Sequence, residues 1–518
     1  MLDRIFVCGA LLAATIAHAT DASTYARREA DWRNGAIVYQ VLVDRFVPPA
    51  DPAAVAHHYP PPKVLRAWHE LPARGSYLEG AKLWSHEIEF WGGNLAGVAS
   101  RIDYIRDIGA DVLYLNPIHL AYTNHKYDAF DYHAVSPEFG TREDAIRLAN
   151  RVHEAGMKIV LDGVFNHMGR NAPAFRDAER DPKSRWRDWF VFGPQYPGGA
   201  RTWWLAENLP ELNLENPAVR AHAWSGRDSV VRRWLRDGVD GWRLDVAVDI
   251  GYPFLTELTR AAHAEKPGSL VVGEIANYPR DWFPAVDGVM NFTLREIILR
   301  TARGQLPVAH AARMIERMVA ESGTENLLKS WLMLDNHDTM RLATALPDER
   351  QRRLAQVLQF TLPGAPNLYY GSELGMAGGD DPEMRAPMRW DLVRDDNPHL
   401  AWTRLLVAMR KQSRALRVGD YRPVSADRLL AFERYTDRAR DTVLVLANPT
   451  DQAIVETVMP ANSNLMNTFG LVDLLPTTAP RVKMSNGLID VTVPAHGVRV
   501  LTPQLSPGGG YSAYKRVP

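Results

Sequence analysis

The chain has almost no cysteine and almost no net charge. Cys8 is the only cysteine among 518 residues, so no intramolecular disulfide can form and stability must come from a buried core. The formal net charge is -1 at pH 7. This balance offers no electrostatic basis for binding nucleic acid, a membrane surface or a polyanion. We therefore expect a neutral substrate and no nucleic-acid partner.

The sequence also lacks the common metal motifs and any run long enough to cross a bilayer. There is no H-E-x-x-H and no Cys/His cluster, which argues against zinc. The acidic stretches at Asp51 and Asp380-Asp381 lack the spacing of an EF-hand loop, although an irregular calcium site stays open. We expect no required cofactor, no metal ligands and no membrane insertion of the mature chain.

Residues 1–19 have the pattern of a secretory signal peptide. Arg4 precedes an apolar run over residues 5–16, and the sequence A-H-A at 17–19 fits a cleavage site. The run is too short to span a membrane, and its alternative is a buried first helix. We expect export to the periplasm or the medium. The mature chain would then have no thiol, because Cys8 lies in this segment.

Short apolar runs alternate with amphipathic ones from residue 37 onward, which is typical of strand-helix units and a parallel sheet. The predicted strands are residues 37–46, 111–118, 158–165, 239–246, 270–275, 288–292, 330–336 and 367–374. Eight units predict an α/β fold, a (β/α)8 TIM barrel, in which catalytic groups lie at the C-terminal strand ends.

Two parts of the chain break this alternation. A polar, Trp-rich stretch to about residue 217 follows the third strand and predicts a small inserted domain. Beyond residue 417, apolar runs at 429–434, 442–448, 453–459 and 497–501 predict an antiparallel β-sandwich. The expected divisions are a signal peptide 1–19, a barrel 20–417 with the insertion at about 168–217, a C-terminal β domain 418–505 and a flexible tail 506–518.

The predicted fourth strand presents Arg243 and Asp245 on one face, because side chains two residues apart on a strand point the same way. An adjacent arginine favours the ionised form of a carboxyl group, which suits a nucleophile. From this stretch alone, a purely structural ion pair is an equal alternative.

Ionisable residues recur at the ends of other predicted strands, namely Asp162 and His167, Glu274, and His337 and Asp338. The carboxylates of Asp245, Glu274 and Asp338 would repel in one apolar-walled cup, so one should keep its proton while another stays ionised. Glycoside hydrolysis needs this division of roles. For Asp162 we expect mainly a supporting role. A histidine at such a position, taken alone, is more often a polar group whose hydrogen bonds are satisfied within the protein than a residue that binds substrate.

Four ordered motifs resemble those of the α-amylase family, glycoside hydrolase family 13. They are Asp162-Gly-Val-Phe-Asn166-His167, Gly241-Trp-Arg243-Leu-Asp245, Gly273-Glu274-Ile and Asn336-His337-Asp338. Further stretches are similar to the neopullulanase, cyclomaltodextrinase and maltogenic amylase branch, namely LPELN at 209–213, NHKYD at 124–128, WGGNL at 91–95 and GGDDPEMR at 378–385. The resemblance covers residues 35–417, and several motifs in order are specific.

The resemblance implies a retaining α-glycosidase that cleaves α-1,4-glucosidic bonds of maltooligosaccharides, cyclodextrins or related α-glucans. It implies Asp245 as the nucleophile, Glu274 as the acid and base, and Asp338 as the group that stabilises the distorted sugar. It also implies substrate-binding or supporting roles for Tyr127, Asp162, His167, Arg243, His337, Asp381 and Arg385. Cleavage of α-1,6 bonds and transglycosylation stay open.

The chain departs from this branch at several positions. Ala276 stands where the branch commonly has Trp, and Val248-Asp249 stand where it has Asn-Glu, so leaving-group and acceptor preferences are expected to differ. Too few residues precede the barrel for the branch's extra N-terminal domain, so we expect a monomer with a more open cleft. The alternatives are an α-glucosidase or glucosyl transferase of the same fold and, in another class, a non-catalytic sugar-binding or transporter-accessory protein.

Overall fold

A closed barrel of eight parallel strands forms the centre of the protein. The computed structural model describes residues 22–506 and 510–517, so the predicted signal peptide and Cys8 lie outside the described residues. The strands are β1 Val38–Val41, β2 Val112–Leu115, β3 Lys158–Gly163, β4 Gly241–Leu244, β5 Leu270–Ile275, β6 Gly288–Asn291, β7 Trp331–Met333 and β8 Ala365–Tyr369. Sequential strands are neighbours and β8 pairs with β1, which confirms the predicted TIM barrel.

Most strands are shorter than the apolar runs that predicted them. Residues 330–336 predict one strand, whereas β7 ends at Met333. Leu334 beyond it is still 1% exposed, because the chain leaves the sheet before it leaves the core. Apolar runs indicate burial and not backbone pairing, so they extend past the true strand ends.

Helices lie around the barrel and in its long connections. They are Ala22–Ala30, Pro52–Val55, Leu95–Ser100, Ile102–Ile108, Arg142–Glu154, Pro173–Arg180, Pro217–Arg220, Val230–Arg236, Ala247–Ile250, Tyr252–Glu265, Phe292–Ala302, Val308–Ser322, Thr324–Lys329, Leu342–Ala345, Glu349–Thr361, Pro398–Gln412 and Arg414–Val418. The run 218–236 predicts one helix but contains a π-helical turn, Ala221–Ser225, and a break after it. The break falls at Gly226, where a Cβ would lie 2.4 Å from the Ala221 carbonyl oxygen.

Two long connections extend beyond the C-terminal ends of the strands. The connection after β3 contains the helix Pro173–Arg180 and several isolated bridges, one of which pairs His167 with Glu211. The connection after β1 contains Val64–Leu65 paired with Glu89–Phe90 and a hairpin of Tyr77–Leu78 with Leu83–Trp84. The connection after β3 was predicted as an insertion. The structure of the connection after β1 was not predicted, because its two-residue strands are too short to produce a period in the sequence.

The C-terminal part forms two antiparallel sheets, which confirms the predicted β domain. One contains Asp420–Pro423, Leu430–Tyr435, Val443–Ala447, Val498–Pro503 and Leu471–Asp473, and the other Ile454–Val458, Leu488–Val493 and Met484–Ser485. Leu444, Ile454 and Leu501 belong to the core that the two sheets share. Tyr514 packs here as well, and its hydroxyl accepts a hydrogen bond from the Met466 N–H at 2.9 Å. Among the described residues, no helix has the length and apolarity to cross a membrane.

Candidate active site

The barrel interior has an apolar layer below and a charged layer above. Val160 on β3 and Val272 on β5 are buried in the apolar layer. Two residues further along β3, Asp162 faces the same interior and pairs in register with Arg243 of β4. Because the layer below excludes water, the charged groups above it interact more strongly than they would in solvent.

Arg243 is fully buried and connects three carboxylates. Its Nη1 donates to Asp162 Oδ1 at 2.9 Å and to Asp245 Oδ1 at 2.9 Å. Its Nη2 lies 2.7 Å from Glu274 Oε1. The side chain of Arg243 is 0% exposed, so this one cation must balance three anions without help from solvent. Such a cluster favours binding of a proton by one of the carboxylates.

The surroundings of Asp245 oppose its ionisation. Burial raises the pKa of Asp245 well above its usual range, and the charge of Arg243 does not offset this because Glu274 and Asp162 raise it further. We predicted from the sequence that Arg243 keeps Asp245 ionised. The structure adds burial, which opposes ionisation of Asp245, and it shows that Arg243 also contacts Asp162 and Glu274. A raised pKa in one acid of the cup was predicted, but not in this one.

Asp338, at the mouth of the cleft, has surroundings that favour its charged form, in contrast to those of Asp245. Its Oδ1 accepts a hydrogen bond from Arg385 Nη2 at 3.0 Å, and its Oδ2 lies 2.8 Å from His337 Nε2. Burial alone would raise the pKa of Asp338, but His337 and Arg385 outweigh it and lower the pKa well below the usual range. Asp338 is therefore ionised at neutral pH.

Asp162 holds the floor of the site together. The Tyr127 hydroxyl donates to Asp162 Oδ2 at 2.8 Å, and the Tyr114 hydroxyl donates to the same oxygen at 2.6 Å. The Tyr127 ring lies parallel to His337, with ring centres 5.4 Å apart and planes at 5°. With Arg243 as its third donor, Asp162 is 0% exposed and fully hydrogen-bonded.

His167 contacts both the barrel and the inserted segment. Its Nε2 lies 3.9 Å from Asp245 Oδ2, and its ring stacks on Trp203 with centres 5.9 Å apart. Burial lowers the pKa of His167 to about 3, so the imidazole is neutral at neutral pH. A neutral imidazole can donate a hydrogen bond to a sugar hydroxyl without competing for the charge of Asp245.

Asp381 and Arg385 extend the site away from the barrel axis. Arg385 Nη1 lies 3.1 Å from Asp381 Oδ1, and Arg385 Nε donates to the His337 carbonyl oxygen at 2.9 Å. Burial opposes ionisation of Asp381, but His86 and Arg385 outweigh it and lower the pKa of Asp381 to about 2. Arg385 therefore lies between Asp338 and Asp381 and pairs its positive charge with both carboxylates.

These side chains meet at one cleft of about 460 Å³. Seven of the predicted site residues line it, namely Tyr127, His167, Asp245, Glu274, Asp338, Asp381 and Arg385. Asp162, Arg243 and His337 are completely buried and support the lining from beneath.

The cleft also contains residues that the sequence reasoning missed. Glu87 from the connection after β1 faces His125, with Oε1 and Nε2 3.2 Å apart, and Trp203 comes from the inserted segment. His125 stands in the NHKYD stretch and Trp203 in the Trp-rich stretch, so the sequence contained a pattern that could have indicated each of them. No sequence pattern indicated Glu87. Within the residues that the structure describes, no group of three or more His, Cys, Asp or Glu side chains is placed to hold a metal ion.

An eight-stranded barrel with three carboxylates around one cleft at the C-terminal strand ends has the architecture of a glycoside hydrolase. Residues 40–397 match the family model described as alpha amylase, catalytic domain. The chain belongs to the α-amylase family, and it is a glycosidase of that type.

Named relatives agree with this assignment. Neopullulanase 2 of Thermoactinomyces vulgaris is 33% identical over 451 residues, which cover 83% of this chain and 72% of that protein. A cyclomaltodextrinase of Geobacillus thermopakistaniensis is 33% identical over 485 residues, covering 90% and 76%. Among solved structures, the ligand-free cyclic alpha-maltosyl-(1-->6)-maltose hydrolase of Arthrobacter globiformis has a TM-score of 0.76 at 30% identity, covering 92% of this chain and 100% of that one.

Proposed function

We propose that the chain is a retaining hydrolase of α-1,4-glucosidic bonds in maltooligosaccharides, cyclodextrins or related α-glucans. The observation that carries this proposal is the meeting of Asp245, Glu274 and Asp338 in one cleft, with the first two in contact with one guanidinium group. The relatives named neopullulanase and cyclomaltodextrinase support the substrate class. Pockets of about 300–1,000 Å³ suit ligands of small-molecule size, so this cleft of about 460 Å³ fits a short stretch of sugar units.

In the first step, Asp245 attacks the anomeric carbon while Glu274 gives its proton to the glycosidic oxygen. The bond between that carbon and that oxygen breaks, and a glycosyl ester of Asp245 forms. Asp245 must attack as its carboxylate; burial opposes that form, and Arg243 favours it.

In the second step, the Glu274 carboxylate takes a proton from a water molecule, and the water oxygen attacks the anomeric carbon. The ester bond to Asp245 breaks, and the product keeps the α configuration. Retaining pairs have carboxyl groups about 5 Å apart, whereas inverting pairs are about 6.5–9.5 Å apart. Contact of Asp245 and Glu274 with the single guanidinium of Arg243 favours the shorter separation.

The other side chains would bind and orient the sugar. Tyr127 presents its ring to the cleft beside Asp338, which stays ionised and can stabilise positive charge on the distorted sugar. His167 and His337 would hold hydroxyl groups of that sugar. Asp381 and Arg385 would contact the next one.

Sugar release from maltotriose, β-cyclodextrin, starch and pullulan tests the activity and the substrate class, and NMR of the first product tests retention. The proposal expects the α anomer first. The β anomer first would reject retention. Binding of these sugars without any release would instead favour the non-catalytic alternative.

We also propose export to the periplasm or the medium, supported by the signal-like pattern of residues 1–19. N-terminal sequencing of the native protein after cell fractionation should find the mature chain beginning at residue 20. A cytoplasmic protein that retains residues 1–19 would contradict export. The expected monomer stays a prediction, and light scattering coupled to size-exclusion chromatography measures it.

A further inference from the structure

The residue after the proposed nucleophile has a backbone conformation that valine rarely adopts. Val246 has φ 40° and ψ 47°, in the left-handed region. A β-branched residue is a true outlier there, since its side chain crowds the neighbouring backbone. Such strain persists only where the surrounding structure holds it, and it concentrates at functional sites.

The left-handed turn directs one backbone N–H at a catalytic candidate. Strand β4 has ended, and the Asp245 N–H still donates to the Gly163 carbonyl oxygen at 3.1 Å. At the next residue the chain turns, and the Val246 N–H donates to Glu274 Oε2 at 3.0 Å. The other oxygen of Glu274 lies 2.7 Å from Arg243 Nη2. Glu274 is therefore held at both oxygens, by a cation on one side and by the backbone on the other.

The rest of the turn fixes this N–H in place. The Val246 carbonyl oxygen accepts hydrogen bonds from the Asp249 and Ile250 N–H groups at 2.9 and 3.4 Å. These bonds tie it to the short helix Ala247–Ile250. The chain is thus held on both sides of this N–H, by the Val246 carbonyl oxygen after it and by the Asp245 N–H before it.

The other end of the same short helix provides a comparison. Gly251 also has a positive φ, 82°, and a Cβ there would meet nothing within 4 Å. Where the chain only needs to turn, it has glycine. Val246, which lines the cleft, is not glycine, although glycine would remove the strain.

We propose that Val246 is a positioning residue, whose backbone N–H holds the Glu274 carboxylate in place for its role as a base. This inference rests on the proposed function. A donated N–H stabilises a carboxylate more than a carboxylic acid. It therefore favours the form of Glu274 that removes a proton from water as the water oxygen bonds to the anomeric carbon and the bond from that carbon to Asp245 breaks.

The direct test replaces Val246 by α-hydroxyisovaleric acid in the full-length enzyme. This change keeps the side chain and converts the amide to an ester without an N–H. We expect kcat on maltotriose to fall at least tenfold. We also expect the alkaline limb of the kcat/KM profile to move to higher pH, because loss of the donor favours the acid form. The same amide-to-ester replacement at Val455, in the C-terminal domain, is the control for effects of the ester bond itself.

Maltosyl fluoride separates the two steps, because its leaving group needs no proton. We expect the ester enzyme to be slow on this substrate too, since Glu274 is less well positioned for the step in which it acts as the base. A kcat within threefold of the wild type with an unmoved alkaline limb would overturn the inference. If the wild type releases no sugar from any substrate, the proposed function fails, whereas loss of the Val246 effect alone leaves that function standing.

A second pair of variants keeps the inference testable should the ester enzyme fail to fold. Val246→Ala keeps a Cβ in the left-handed turn, whereas Val246→Gly removes the strain and frees the backbone to leave it. We expect the glycine variant to have the higher Tm and the lower kcat of the two. Equal kcat values for the two variants would contradict a positioning role.

Discussion

Arg243 Nη1 donates to Asp245 Oδ1 at 2.9 Å while the other nitrogen of the same fork, Nη2, lies 2.7 Å from Glu274 Oε1. The two proposed catalytic carboxyl groups thus compete for one cation. Asp162 also accepts from Nη1, so the charge of Arg243 is divided further. Burial is the main cause of the raised pKa of Asp245, and this division of charge is why its arginine neighbour does not offset it.

Removal of either proposed catalytic carboxylate should strongly lower turnover while the fold persists. We expect Asp245→Asn and Glu274→Gln each to lower kcat by about a thousandfold or more, because each removes a group that the covalent route requires. Circular dichroism should be unchanged, since each replacement is nearly isosteric. Activity within tenfold of the wild type in either variant would reject its assigned role.

The same Asp245→Asn change should stabilise the protein at neutral and alkaline pH. A carboxyl group whose pKa is raised by folding costs stability as pH rises from its unfolded value toward its folded value, and asparagine has no such cost. We expect the gain in Tm over the wild type to be largest near pH 8 and to shrink toward pH 4. A variant that is less stable than the wild type throughout this range would show that the pKa of Asp245 is not raised.

The loop that carries Tyr127 should depend on a buried ion pair. Lys126 Nζ lies 2.6 Å from Glu138 Oε1, with side chains 0% and 3% exposed. Removing one partner leaves an uncompensated buried charge, so we expect Glu138→Gln to cost about 3–5 kcal/mol in the free energy of unfolding. Denaturant titration measures this cost, and a loss under about 1 kcal/mol would contradict it.

This pair should also contribute to acid sensitivity. Burial disfavours the charge of Glu138, but Lys126 and Lys63 outweigh it and lower its pKa to about 2. Its stabilisation is therefore complete above the unfolded pKa of about 4.3 and lost as pH falls toward 2. The stability difference between the wild type and Glu138→Gln should shrink over this range. A difference that is constant between pH 6 and pH 2 would contradict this.

Ala276 and Val248 both line the cleft, and the family resemblance implies that Ala276 lies on the side that receives the leaving group. Ala276→Trp adds an aromatic face on which a sugar can stack, so we expect a severalfold lower KM for maltotriose and a larger share of transfer products. Ala276→Leu is the matched control, because it adds volume without an indole. The same KM in both variants would indicate that stacking is not involved.

Dialysis against a chelator tests the expectation that no metal is required. The expected result is an unchanged kcat and Tm after treatment with EDTA. Activity that is lost on dialysis and restored by calcium alone would instead establish an irregular calcium site.

The sequence alone determined the barrel and seven of the residues that line the cleft. Eight apolar runs predicted eight strands, because burial on both faces leaves a continuous apolar signature. The motifs around Asp245, Glu274 and Asp338 located the carboxylates, since each of these residues stands in a short motif at the C-terminal end of one strand. The contribution of Glu87 could not be predicted, because its connection has only two-residue strands and no period.

Only the tertiary structure decided how charge is shared in the site. In the sequence, Asp245 is two residues from Arg243, whereas Asp162 and Glu274 stand on other strands that closure of the barrel brings to the same guanidinium. A pKa depends on burial and on every nearby charge, so the local Arg-Asp pattern predicted an ionised Asp245 where the structure raises its pKa. The left-handed turn at Val246 is likewise absent from the sequence pattern, because the surrounding fold imposes it on a residue that disfavours it.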